Sequence, residues 1–422
     1  MTKFLATAFI SLFLISFFLL TGGALALDTQ GKDCKDCHEL SLTGAHKNTP
    51  CKSCHAETSE HFAKAADFSG KAEGCLRCHE DYKNMLHSEM RTRDTEQKYA
   101  EDAFGSLDNR FFSKNCSGCH LTSCTDCHEG KTPHDIVKPS TETCLKCHNG
   151  YFTGIEYIGL GQREDHERYD RGISHKGENY AKMLPDIHHE KGMDCAACHS
   201  MKSLAEGMKS SKSCTDCHEI KNTSIEHSVP EHMEKLECHS CHSAWASQEY
   251  GTFWIRFKNT KYSDYFRWLK SADDNYAKSS HTKIYSPPPL GINKAGKYSP
   301  VRPMFLAFCT YIVKDKVQGK ENAMASNRFK AFFPHTVRRE TVTCESCHAN
   351  DRRLMRNSDD NRTFHPDEDG LPIKNFFNSR EYYVANGRFI NNEEYRTITG
   401  SSDEYKKLTV KKWIELNSVI KK

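Results

Sequence analysis

Beyond Leu20 the chain has no apolar run long enough to cross a membrane; the longest, Met304 to Val313, suits a buried strand. Apolar residues fill only 37% of 422 positions, lean for a chain of this length. The 59 lysines and arginines are dispersed. No like-charge block of the kind that nucleic-acid-binding arms use is present, and no nucleic-acid partner is expected. The formal charge is only +3. Something other than aliphatic side chains must therefore supply much of the interior.

The N-terminus departs from this pattern. Met1-Thr2-Lys3 precedes an apolar run from Phe4 to Leu20, and Ala24-Leu25-Ala26 follows. A basic residue, an apolar core and a small-x-small site make a secretory signal, cleaved after Ala26. An uncleaved anchor is the alternative fate of the same segment, and the one expected route to membrane contact. The expected location is periplasmic or extracellular.

Cysteine is abundant. Of 21 cysteines, 20 fall into ten copies of Cys-x-x-Cys-His, and only Cys309 is left over. The copies are Cys34, Cys37 and His38; Cys51, Cys54 and His55; Cys75, Cys78 and His79; Cys116, Cys119 and His120; Cys124, Cys127 and His128; Cys144, Cys147 and His148; Cys195, Cys198 and His199; Cys214, Cys217 and His218; Cys238, Cys241 and His242; and Cys344, Cys347 and His348. Two cysteines three apart with a histidine next lie on one face of a helical turn. The thiols can bond two porphyrin vinyl groups while the imidazole reaches the iron, so the pentapeptide is an attachment site for c-type haem. Zinc sites and disulfides also use cysteine pairs, but neither requires the histidine that all ten copies carry. In the stretch Cys116 to His128, three residues separate two copies, which puts two porphyrins almost in contact. Cys309, within Phe305 to Val313, reads as an inert buried thiol.

These ten pentapeptides, spanning residues 34 to 348, resemble those of the multihaem c-type cytochromes. The resemblance implies ten covalent haems c and attachment outside the cytoplasmic membrane. With about twenty propionates added, the oxidised holoprotein would carry roughly −8. Ten motif histidines would serve as proximal iron ligands. Fourteen others remain of 24. As distal ligands the expected set is His46, His61, His87, His134, His175, His189, His227, His281 and His335, with His232 completing ten; His166, His188 and His365 compete with His232, and His239 is less favoured. In such cytochromes a histidine often ligates a haem other than the nearest one.

The expected organisation is a signal at 1–26, a six-haem region at 27–148, a loop-rich bridge at 149–194, a three-haem region at 195–242, a haem-free aromatic-rich module with β-structure at 243–343, and a last haem with a C-terminal helix at 344–422. Motif starts 17 and 24 apart near the N-terminus, and 19 and 24 apart after Cys195, suggest a duplicated unit. Strands are expected at Thr252 to Phe257, Met304 to Val313 and Phe329 to Phe333, with a turn over 314–320. Helices are expected at Thr95 to Phe104 and Ser402 to Ile420. The second packs on the body through Tyr405, Leu408, Trp413, Leu416 and Ile420. The expected fold class is mainly α with large irregular content, packed on haem, plus the small β-containing module.

The family implies two functions. The first is electron transfer along closely spaced, mostly bis-histidine haems in anaerobic respiration or extracellular electron transfer. No catalytic residue is then expected, and the partners are redox proteins, either a quinol-linked donor or a terminal acceptor. Self-association into a filament is a further partner class. The second is a multihaem reductase of the nitrite, hydroxylamine or tetrathionate type with one open haem, best sought at Cys344 to His348. Arg338, Arg339, Arg352 and Arg353 flank that motif and would hold an oxyanion, or pair with propionates.

Overall fold

Residues 246–331 build long paired strands rather than short isolated ones. The computed structural model describes residues 34–36, 38–39, 42, 44–55, 57–58, 61–62, 74–116, 120–132, 134–148, 157–160, 171–175, 178–182, 185–207, 211–221, 224–261, 269–270, 275–339, 342–356, 382–400 and 402–420. The signal at 1–26 and much of the 149–194 bridge lie outside these residues. So do Cys37, Cys119, His166 and His365.

The strands are β1 (Glu57–Thr58), β2 (His61–Phe62), β3 (Tyr157–Leu160), β4 (Arg171–His175), β5 (Glu178–Lys182), β6 (Ala246–Lys258), β7 (Leu269–Lys270), β8 (Asn275–Tyr285), β9 (Leu290–Asn293), β10 (Tyr298–Val313), β11 (Lys316–Ala331), β12 (Tyr383–Val384) and β13 (Gly387–Arg388). Eight of them form one mixed sheet in the order β12-β11-β10-β6-β8-β7, with β9 on β10 and β13 on β9. The β6–β10 and β11–β12 pairs are parallel and the others antiparallel. The described part of the bridge holds a further antiparallel sheet in the order β3-β5-β4.

This sheet overturns the expected mainly α, haem-packed class. Only four described helical segments reach seven residues: Glu80–His87, Asp94–Phe104, Asn392–Gly400 and Ser402–Ile420. The sequence understates the strands for a physical reason. β11 begins with eight exposed, largely polar residues and shows no apolar alternation there. It is held by backbone pairing to β10, which no side-chain pattern records. The turn expected over 314–320 contracts to Lys314-Asp315, both at positive φ (47° and 62°), the two-residue hairpin turn that matches strand twist. The strand expected at Phe329 to Phe333 is the end of β11.

Alternation along β10 gives the sheet two buried faces. On one face Leu306 and Phe308 join Val301, Phe329, Met355 and Val384. On the other, Ala307 and Cys309 meet Phe104, Phe111, Phe112, Trp254 and Tyr276. Phe104 stacks on Phe111 at 3.9 Å, and Phe111 meets Trp254 edge-on at 4.9 Å. Cys309 is 5% exposed, and burial pushes its thiol up to about 11. The sheet thus carries a protein core of its own, to which Phe104 and Phe111, upstream of the tandem motifs, contribute.

The same sheet fixes the last motifs. The Glu237 amide and the Ser240 hydroxyl both donate to the Tyr298 carbonyl, at 3.0 and 2.7 Å, and Ala244 donates to Thr336 at 2.9 Å. The Ser402–Ile420 helix forms as expected but does not pack as expected. Trp413 is 62% exposed, Val410 and Ile414 are similarly open, and Leu408 is also exposed. The side chains of Tyr405, Leu416 and Ile420 lie outside the described residues.

Candidate functional site

Each described motif folds into the same short turn. The histidine amide donates to the carbonyl of the first cysteine at 2.9–3.1 Å in the motifs starting at Cys34, Cys51, Cys75, Cys124, Cys144, Cys195, Cys214 and Cys344. That closes one helical turn and sets both thiols and the imidazole side by side.

Six motif histidines each face one histidine from outside the motifs. The ring-centre separations are 6.1 Å for His79 and His46, 6.0 Å for His55 and His134, 5.9 Å for His218 and His188, 6.2 Å for His199 and His335, 6.0 Å for His242 and His227, and 6.3 Å for His348 and His232. Ordinary ring contacts fall in the same range, but each of these joins a motif imidazole to an imidazole from elsewhere in the chain. A metal–nitrogen bond of about 2.0 Å on each side, with each nitrogen about 1.1 Å from its ring centre, separates two ring centres by about 6.2 Å. The spacing fits one metal ion between each pair.

The opposite edges of the motif rings are tied down. His120 Nδ1 lies 2.9 Å from the Arg91 carbonyl, His128 Nδ1 3.0 Å from Val137, His242 Nδ1 3.2 Å from Arg338 and His348 Nδ1 2.7 Å from Ile398. His199 Nδ1 lies 3.1 Å from the Ser211 hydroxyl. A proton donated there fixes the tautomer and leaves Nε2 as the ligating atom, the usual outer support of a metal-bound histidine. His120 Nε2 is buried with no hydrogen-bond partner, as is His46 Nδ1. Buried orphan nitrogens are rare unless something further binds them. Burial lowers the pKa of His148, His199 and His232, which favours the neutral imidazole that metals require.

Among the expected distal ligands, His46, His134, His227, His232 and His335 each meet a motif ring. His87 and His189 are described and face no motif imidazole. The side chains of His61, His175 and His281 lie outside the described residues. His188, which competed with His166, His232 and His365 for the last place, is the residue that meets His218. Its signal was Asp186, two positions earlier, whose carboxylate accepts from His188 Nδ1 at 3.0 Å. Most pairs cross segments: His335 precedes Cys344 yet faces His199, and His134 follows the fifth motif yet faces His55.

The motif cysteines form a file. Cys75 lies beside Cys124, Cys144 beside Cys195, and Cys214 beside Cys238. Each of these joins the first cysteines of two motifs. The second cysteines lie near one another in between, Cys127 near Cys147, Cys198 near Cys217 and Cys241 near Cys347. Cys54 adjoins Cys75 and Cys78. Eight motifs thus follow one another, from Cys54 to Cys347. Cys116 packs with Phe104, Phe111 and Phe112, whereas Cys124 packs with Met85, Leu86 and Leu204, so the tandem copies face different surroundings.

Among the described residues no three His, Cys, Asp or Glu side chains converge as a zinc site needs. Among the described cysteines no disulfide is formed. Of the flanking arginines, Arg338 pairs with Glu190 at 2.5 Å, and Arg353 is buried against carbonyls and a thiol. Among the described residues no helix is long and apolar enough to cross a membrane. Comparison of the chain with protein-family models, curated proteins and solved structures finds no match.

Proposed function

We propose that this chain is an exported decahaem c-type cytochrome that carries electrons. The observation that carries this reading is the six histidine pairs at 5.9–6.3 Å, each joining a Cys-x-x-Cys-His imidazole to one from elsewhere in the chain. When bound, haem supplies reversible one-electron chemistry at iron.

The chain's residues do the rest. The cysteines would tether each porphyrin by two thioethers. The motif histidine would hold the iron together with His46, His134, His188, His227, His232 or His335. An iron held by two imidazoles would favour electron transfer over substrate binding there. Carbonyl acceptors on Nδ1 hold the rings at fixed angles, so little rearranges when charge changes. The file from Cys54 to Cys347 sets which sites are neighbours. Partners on this reading are a redox donor and a redox acceptor, in the periplasm or outside the cell.

Mass spectrometry of the exported protein, with electron paramagnetic resonance of its oxidised form, tests the proposal. Ten covalent haems and a predominantly low-spin ferric signal are expected. A mass equal to the bare chain would refute it. A stoichiometric high-spin signal altered by nitrite or hydroxylamine would favour a reductase instead.

A further inference from the structure

Among the described residues Arg353 is the largest fully buried side chain, at 2% exposure. Its Nε lies 3.3 Å from the Pro288 carbonyl, its Nη1 3.1 Å from Cys347 Sγ, and its Nη2 bonds the Ser240 carbonyl. Ser240 sits inside the motif Cys238 to His242, and Cys347 inside the motif Cys344 to His348. The guanidinium is therefore wedged between the last two motifs of the file, where Cys241 and Cys347 adjoin.

Among the described residues no carboxylate pairs with it. A buried arginine is ordinarily neutralised by an acid, because removing an isolated charge from water is expensive. Here the partners are two carbonyls and a sulfur, which satisfy the donors but leave the positive charge standing. An arginine side chain keeps that charge in proteins. Accepting an electron lowers the positive charge of an iron site, so a fixed cation nearby in a low-dielectric interior favours the reduced form.

Resting on the haem attachment proposed above, we propose that Arg353 tunes the last two sites, raising their reduction potential so that electrons collect at the Cys238–Cys347 end of the file. The residue touches an attachment sulfur rather than the reacting iron, and it acts through charge. Electrons entering near Cys54 would then run downhill toward the Asn392–Gly400 helix, whose Ile398 carbonyl supports His348.

The test compares the full-length exported holoprotein with Arg353→Gln and Arg353→Lys in a potentiometric titration followed by visible absorbance. Haem count and spin state are checked on each. With Gln, the highest-potential part of the curve should move down by at least tenfold in electron occupancy, 59 mV for a one-electron step. With Lys, which keeps the charge, that part should stay near the wild-type position. A Gln curve that superposes on wild type, a shift confined to the low-potential part, or a Lys curve displaced as far as Gln would each overturn the proposal. Where Gln costs a haem, the Lys variant decides alone by the same criterion. A colourless wild-type protein would instead mark the failure of the haem assignment itself.

Discussion

Asp186 holds His188 and the segment beyond β11 at once: its carboxylate accepts from His188 Nδ1 at 3.0 Å and from the Val337 amide at 2.7 Å. It is 6% exposed. Removing it frees the ring that faces His218. Asp186→Ala should weaken the grip of that imidazole on its iron by about 10–100-fold, the usual cost of losing an outer-shell partner. One high-spin haem should appear in the paramagnetic resonance spectrum, and Asp186→Asn should show less of it.

The two kinds of free histidine predict opposite outcomes. Alanine at His46, His134, His227, His232 or His335 should each convert one low-spin haem to high spin. Alanine at His87 or His189, neither of which faces a motif ring, should leave the spectrum unchanged. A spectrum that changes with His87 and not with His46 would show that the facing pairs are not ligand pairs.

Asp108 gives a pH test independent of iron. Burial opposes its ionisation, but hydrogen bonds from Lys114, Tyr276 and the Arg110 amide overcome this and hold its carboxyl at about 2. The folded value lies below the ordinary one near 3.9, so the stabilisation is fully present above about pH 4 and is lost as pH falls through about 2. The shift corresponds to about 2–3 kcal/mol. Denaturant titrations of wild type and Asp108→Asn should differ by that amount at neutral pH and converge below pH 2.

Phe111, 1% exposed and packed against Phe104, Trp254 and Tyr276, joins a helix to the sheet. Phe111→Ala should cost about 3–5 kcal/mol. The loss should show in the thermal unfolding of the sheet, with the haem count unchanged.

The motif turns were legible because their pattern is local: cysteine, cysteine and histidine within five residues fall in one helical turn. The helix at Asp94–Phe104 was legible within one residue, and β6 and β10 were located but cut short. β11 was missed over most of its length, because an exposed strand paired through its backbone needs no apolar alternation. Trp413 was assigned to a buried stripe, since a helical period says which residues share a face but not whether anything covers it. The histidine pairs were half legible. Proximity in sequence singled out His189 over His188, yet the carboxylate of Asp186 selects the ring that is held in place. The sequence marked Arg353 only as one of four arginines flanking the last motif; its surroundings were not legible, because only the fold brings Ser240, Pro288 and Cys347 around it.

Histidines that meet across remote segments have a mechanical consequence. His199 with His335, and His55 with His134, close long loops as a staple would, and on the proposed ligation iron is the clasp. Such closures restrict the unfolded chain and stabilise the folded one through loop entropy. Strong exogenous ligands for ferric iron would then do more than change colour: by unfastening these clasps they would lower the melting temperature of the whole molecule.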